Sequence, residues 1–134
     1  MTVLLDTHAL LWWQAGGQRL STRAASAIAR AEMVLVSPIS CWEVAELVRK
    51  GRVALDRDLH LWVRDLLAQE GVAVAELAPQ AAVAAGLLAG SGFSGDPADR
   101  ILYATARALA VPLVTKDKAI RDFARASREV RAIW

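Results

Sequence analysis

The sequence predicts an α/β fold, one domain over residues 1–134 built on a mainly parallel sheet of four or five strands. Three observations predict it. Short unbroken apolar runs such as Val3-Leu4-Leu5, Val34-Leu35-Val36 and Leu113-Val114 recur along the chain, as strands buried on both faces do. Segments of helical periodicity separate them, which is how parallel strands are connected. The chain has 134 residues, 55% of them hydrophobic, and can bury a core without disulfides or a structural metal.

Thr2–Leu5 is the first strand and stops at Asp6. Thr7–Gln14 reads as a helix with Ala9, Leu10, Trp12 and Trp13 as its apolar surface, broken at Gly16-Gly17. Ser21 caps a second helix that runs through Arg30, and Met33–Val36 is the next strand, ended by Ser37-Pro38. Ser40-Cys41-Trp42-Glu43 opens a third helix in the capping-box pattern, stopped near Gly51. Leu59–Gln69 forms a fourth, ended by Gly71, and Val72–Leu77 is a third strand. After Pro79 an alanine-rich helix runs to about Leu88, and Gly90–Gly95 reads as a flexible lead-in. Asp96 then suits an N-cap, Pro97 the first helical position, and Asp99 falls one turn in on the same face. Leu113-Val114-Thr115 is a fourth strand, Asp117 starts another helix, and Val130–Trp134 supplies a last strand.

Composition excludes several classes of protein. The single cysteine, Cys41, cannot form an internal disulfide, and no Cys/His cluster has zinc spacing, so a reducing, cytoplasmic setting is expected. The opening Met-Thr-Val-Leu-Leu-Asp lacks the features of a signal or transit peptide. The longest apolar region, residues 72–90, is interrupted by Glu76, Pro79 and Gln80, so no membrane span is expected. A formal charge of +2 is too small to argue nucleic-acid binding by itself. Lys116, Lys118, Arg121, Arg125, Arg128 and Arg131 do crowd the C-terminal end, with Arg121, Arg125 and Arg128 on one helical face; a solvated stripe and a phosphate-binding surface both fit that pattern. His8 and His60 have no Ser or Cys partner for a nucleophilic triad, and Ala15-Gly16-Gly17 lacks the Lys-Ser/Thr of a phosphate loop.

The acids carry the chemical signal. In a parallel α/β sheet ligands gather outside the carboxyl ends of the strands, where the strand order reverses. Asp6 directly follows the first strand, Asp117 closely follows the fourth, Asp99 begins a helix entering from that edge, and Glu43 lies just beyond the second strand. Capping accounts for each alone: Asp6, Asp96 and Asp117 suit N-caps, and Glu43 completes a capping box. Four carboxylates at one edge repel, however, and a hard divalent cation with oxygen ligands, Mg²⁺ or Mn²⁺, is what would make them tolerable there. Glu46 is set for a surface ion pair with Lys50, and Asp56, Asp58, Asp65, Glu70, Asp122 and Glu129 read as solvated.

With these residues in hand, the sequence resembles the PIN-domain family, specifically the VapC toxins of bacterial toxin–antitoxin pairs. The residues that carry the resemblance are Leu4–Trp12 around Asp6, Ser37–Ala45 around Glu43, Asp96-Pro97-Ala98-Asp99-Arg100-Ile101-Leu102, and Leu113-Val114-Thr115-Lys116-Asp117. They span the chain in the family's order. The resemblance implies a three-layer α/β/α PIN-like domain, an Mg²⁺ or Mn²⁺ site, and endoribonuclease activity by metal-activated water. It implies as partners an RNA substrate, a second copy in a homodimer, and a small VapB-like antitoxin. Carried over, Asp6, Glu43, Asp99 and Asp117 take the family's catalytic, metal-binding acidic positions, Glu43 directly or through water. Asp96 fits an extra aspartate of this subgroup and Thr115 the hydroxyl beside the last acid. Arg100, Lys116, Lys118 and Arg49 are candidates for steering the RNA backbone. The chain departs from many relatives in having Ser94-Gly95 before the Asp-Pro and Ala98 after it. The competing readings are a PIN-fold binding protein with a dead site and a phosphoacceptor domain. The latter needs an aspartate ending its middle strand, whereas the strand taken as the middle one ends Glu76-Leu77-Ala78.

Overall fold

A computed structural model describes residues 1–134. The strands are β1 (Thr2–Leu5), β2 (Met33–Val36), β3 (Val72–Val74), β4 (Leu113–Val114) and β5 (Ala132–Ile133). The helices are α1 (Thr7–Gln14), α2 (Thr22–Arg30), α3 (Pro38–Arg49), α4 (Leu59–Ala68), α5 (Pro79–Leu88), α6 (Pro97–Leu109) and α7 (Lys118–Ser127). All strands are parallel and lie in the order β3-β2-β1-β4-β5. The chain therefore winds outward from β1 in one direction through β2 and β3, then crosses to the other side for β4 and β5. The strand order reverses between β1 and β4, and Asp6 and Thr115 leave the sheet at that point.

Alternation along each strand builds two cores. Val3 and Leu5 of β1, Val34 and Val36 of β2 and Val114 of β4 face one layer, where Leu10, Ile28, Val44, Trp62 and Leu66 pack against them. Leu4 and Leu113 face the other, against Leu88, Leu102, Tyr103, Ile120 and Ala124. Leu4, Leu5, Leu102 and Leu113 are essentially inaccessible, and burying each side chain contributes about 1.5–3 kcal/mol. These two cores make the three-layer α/β/α arrangement that the resemblance implies, with five strands.

Several local expectations need correction. The third helix begins at Pro38, and its cap is Ser37, whose Oγ accepts the Ile39 N–H at 3.2 Å; Ser40 lies inside the helix. Proline at the first helical position has its φ already set and no N–H to leave unpaired, which fixes the start three residues earlier than the capping-box pattern suggests. Glu43 is consequently free of any capping duty. The third strand ends at Val74 rather than Leu77, with one further bond from the Ala75 N–H to the Val36 carbonyl. The segment 90–95 is not a loose lead-in: Phe93 is buried, with ring centroids of Tyr103 at 5.4 Å and Phe123 at 5.0 Å. Gly95 fits beneath that ring, since a Cβ there would lie 2.3 Å from Phe93 Cε1 and 2.9 Å from Asp99 Cβ. Arg128 does not share a face with Arg121 and Arg125; it is the residue after α7, in a left-handed conformation at φ 60°.

Candidate functional site

Three aspartates start three helices at the reversal edge. Asp6 caps α1, its Oδ1 accepting the Ala9 N–H at 2.8 Å. Asp96 caps α6 through the Asp99 N–H at 2.9 Å, and Asp117 caps α7 through the Ile120 N–H at 2.8 Å. The capping expectation thus holds for all three. Each cap ties one carboxylate oxygen to a backbone amide, while the positive end of each helix dipole lies beside the charge.

Capping does not account for Asp99 and Glu43. Asp99 sits in the first turn of α6, half-buried, and burial together with Asp96, Asp117 and Glu43 pushes its carboxyl up to about 7. Glu43 is pushed up by burial, with Asp96 and Asp6 adding to the shift; the Thr7 hydroxyl, which donates to its Oε1, opposes it. Asp6 is 7% exposed, and desolvation raises its carboxyl above the ordinary range. Bonds from the Thr115 hydroxyl and the Ala9 amide, with His8 nearby, pull the other way, and Asp117 adds repulsion. Thr115 is itself fixed, because its Oγ1 accepts the Asp117 N–H at 3.0 Å. Asp6, Glu43, Asp96, Asp99 and Asp117 therefore form one electrostatically linked set. None of the five takes part in any of the ion pairs of the molecule.

This donor set suits a hard divalent cation: all oxygen, mostly anionic, with charge left uncompensated by the protein. No three of the side chains are drawn together as a ready coordination sphere. Glu43 and Asp96 line one wall each of a cleft of about 370 Å³ between α3 and the start of α6, shared with Trp42, Leu47, Lys50 and Arg52.

The cations expected near the site divide. Lys116 is exposed and unpaired, next to Asp117, with its Nζ 5.6 Å from the centroid of the Trp12 ring. Arg100 is partly buried, and its Nε has no hydrogen-bond partner. Arg49 is held by Glu46 at 2.8 Å, and Lys118 by Asp122 at 2.5 Å, so both are engaged along their own helices. Glu46 also pairs with Lys50 at 3.8 Å, as its spacing predicts. Sequence reasoning missed Thr7 and Ser40, whose hydroxyls lie 3.0 Å apart behind Glu43. His8, two residues after Asp6, is exposed at the rim, near Asp6 and Glu43.

Comparison with known proteins agrees with this geometry. The PIN domain family model matches residues 3–126. Ribonuclease VapC22 of Mycobacterium tuberculosis (strain ATCC 25618 / H37Rv) is 42% identical over 121 residues, covering 90% of this chain and 91% of that protein. The fold is similar to that in VapBC-1 from nontypeable Haemophilus influenzae, with a TM-score of 0.65 at 18% identity over 98% of this chain and 96% of the other. It is similar also to that in the DNA-bound VapBC of Salmonella typhimurium, with a TM-score of 0.63 at 19% identity over the same shares. The family match spans β1 through α7 and includes all five acids, and this chain belongs to the PIN-domain family.

Proposed function

We propose that the protein is a metal-dependent endoribonuclease, the toxin half of a VapBC-type pair, that hydrolyses RNA phosphodiester bonds. One observation carries the reading: five linked carboxylates lie at the reversal edge of a PIN fold, and no lysine or arginine neutralises any of them. The relationship to a VapC ribonuclease supports RNA as the substrate. The VapBC assemblies among the similar folds support a VapB-like antitoxin as partner, and a homodimer completes the proposal.

Asp6, Asp99 and Asp117, with Glu43 directly or through water and Asp96 as a secondary ligand, would hold Mg²⁺ or Mn²⁺. A bound divalent ion supplies a water of lowered pKa and charge neutralisation at the scissile phosphate. The chain's own work is positional. The Ala9, Asp99 and Ile120 amides fix three carboxylates, and the Thr115 hydroxyl ties Asp6 to the turn that carries Asp117. Thr7 holds Glu43 from behind, and Lys116 offers a cation at the edge of the acid set to an approaching phosphate.

The phosphoacceptor alternative needs a different rebuttal from the one the sequence suggests. The central strand is β1, not the segment starting at Val72, and β1 does end in an aspartate. Asp6 is nevertheless buried and bonded to the Ala9 amide and the Thr115 hydroxyl, a poor state for an in-line attack on a phosphodonor. The experiment is RNA cleavage by the purified protein with Mn²⁺, with EDTA, and with Asp6→Asn. Cutting that depends on Mn²⁺ and falls at least a hundredfold in the mutant is expected; undiminished cutting by Asp6→Asn rules the assignment out. Metal binding without turnover would instead favour a binding protein with a dead site.

A further inference from the structure

Beside α1, adjoining the acids, lies a pocket of about 740 Å³ whose walls include His8, Trp12, Arg19, Arg52, Leu55 and Trp62. The half-buried indole of Trp12 is on its wall. Arg19 Cζ stands 5.1 Å and Lys116 Nζ 5.6 Å from the centroid of that ring, both within cation–π range. The rings of His8 and Trp134 are each 5.7 Å away but tilted by 50° and 57°, so neither covers the indole face to face. Arg19, Arg52 and Lys116 make no ion pair, and the one acid on the wall, Asp56, is held by Arg57 at 2.8 Å. The pocket is therefore apolar inside, with Trp12 as its accessible indole among aliphatic side chains such as Leu11, Leu47 and Val53, and it carries the unpaired cations Arg19 and Arg52 on its wall. Lys116 joins it to the acid set, being the residue before Asp117.

We propose that this pocket is a nucleotide subsite of single-stranded RNA: one unstacked base next to the scissile position lies against Trp12, and Arg19 and Lys116 hold the phosphates on either side of it. The inference rests on the ribonuclease reading above and adds where the strand is gripped. A substrate with one negative charge per nucleotide is repelled by the acid edge unless fixed cations accompany it, and Arg19 and Lys116, which stand over the Trp12 ring while it is empty of ligand, would turn from the ring to the phosphates as a base takes their place. Single-stranded RNA is recognised through unstacked bases on aromatic side chains with cations along its backbone. The size of the pocket falls within the range of sites that enclose a small ligand.

The test compares binding of two fluorescein-labelled 8-mers, oligo(A) and an abasic ribose-phosphate strand of equal charge, by anisotropy in EDTA to prevent cutting. Wild type is expected to prefer oligo(A) by roughly 5- to 100-fold, the worth of one base on an aromatic side chain. Trp12→Ala should lose most of that preference and Trp12→Phe only part. Arg19→Gln and Lys116→Gln, both at exposed positions, should keep the preference, while each lowers the slope of log Kd against log salt by about 0.7. Arg30→Gln is the charge-matched control, at the opposite end of the strands with Met1 and Arg131, and should change neither quantity. Full base preference in both Trp12 variants, or an equal salt effect from Arg30→Gln, overturns the subsite. Identical RNA binding by wild type and Trp12→Ala also overturns it and leaves the pocket to a protein partner. The parent reading fails separately: no RNA cleavage with Mn²⁺ sinks the nuclease even where the base preference depends on Trp12.

Discussion

Replacing Asp99 by asparagine should make the metal-free protein more stable, and only above mildly acidic pH. Asp99 titrates near 7 in the folded chain against 3.8 when unperturbed. Between those values the folded state holds a proton that the unfolded state has released, so stability falls as pH rises through this window and the loss is complete above about 7. For a fully dry group that difference is worth about 4 kcal/mol. Asp99 is only half-buried, and solvent screening cuts the figure to about 1–2 kcal/mol. Losing a negative charge from the first turn of α6 gives back about 0.5 kcal/mol through the helix dipole. The net gain for Asp99→Asn is about 1 kcal/mol at pH 8, or roughly 3–5 °C in melting temperature for a domain of this length. At pH 5 only about a third of the gain should remain, because most of the deprotonation window lies higher. The assay is thermal unfolding by circular dichroism in EDTA at the two pH values, repeated with Mn²⁺. The metal should reverse the order, stabilising wild type by about 2.7 kcal/mol at a hundredfold excess over its Kd and the mutant by much less. A mutant that melts below wild type by the same margin at both pH values would refute the reasoning, because repulsion would then not be what Asp99 contributes.

Gly95→Ala should destabilise the fold by about 1–3 kcal/mol in urea unfolding, as overpacking against Phe93 does, and the Phe93→Leu, Gly95→Ala double mutant should recover part of the loss. Thr7→Val removes the donor behind Glu43 and should cost about 1.5–3 kcal/mol of positioning, read as a tenfold or larger drop in kcat with KM little changed; Thr7→Ser should restore most of it. In the proposed homodimer, Val83 and Leu87, an i,i+4 pair on α5 that is 65% and 72% exposed, are the apolar side chains a second copy would cover. Leu87→Lys should then shift the protein to monomer in sedimentation, and an unchanged dimer would place the interface elsewhere.

Much of the site was readable from the chain because its acids sit at strand ends and helix starts, positions that apolar runs and Asp-Pro pairs mark locally. Asp6, Asp96, Asp99 and Asp117 all fall in such places. What stayed hidden depends on distance in sequence. Thr7 and Glu43 are 36 residues apart, and nothing near either one reports the hydrogen bond between them. Phe93 reads as part of a glycine-rich connection because the rings that bury it, Tyr103 and Phe123, lie on two later helices. Ser37 and Ser40 both offer capping patterns, and Pro38 decides between them only if its place at the first helical position is weighed above the glutamate three residues on. Strand order is the largest gap. Counting strands along the chain makes the Val72 strand central, whereas pairing puts β1 there and sends β3 to the edge.

The coincidence of caps with candidate metal ligands also settles which substitutions can test the site. An aspartate at an N-cap has one oxygen fixed by a backbone amide, so its second oxygen is aimed without help from a bound ion. Asp6, Asp96 and Asp117 all have this construction. Alanine at Asp6 or Asp117 would remove both jobs at once, costing about 1 kcal/mol of cap and blurring any loss of activity with a loss of fold. Asparagine caps a helix about as well as aspartate and carries no charge. A fall in activity with an unchanged or raised melting temperature in the asparagine variants therefore isolates the charge itself, and that pairing of outcomes is what ordinary helix starts cannot produce.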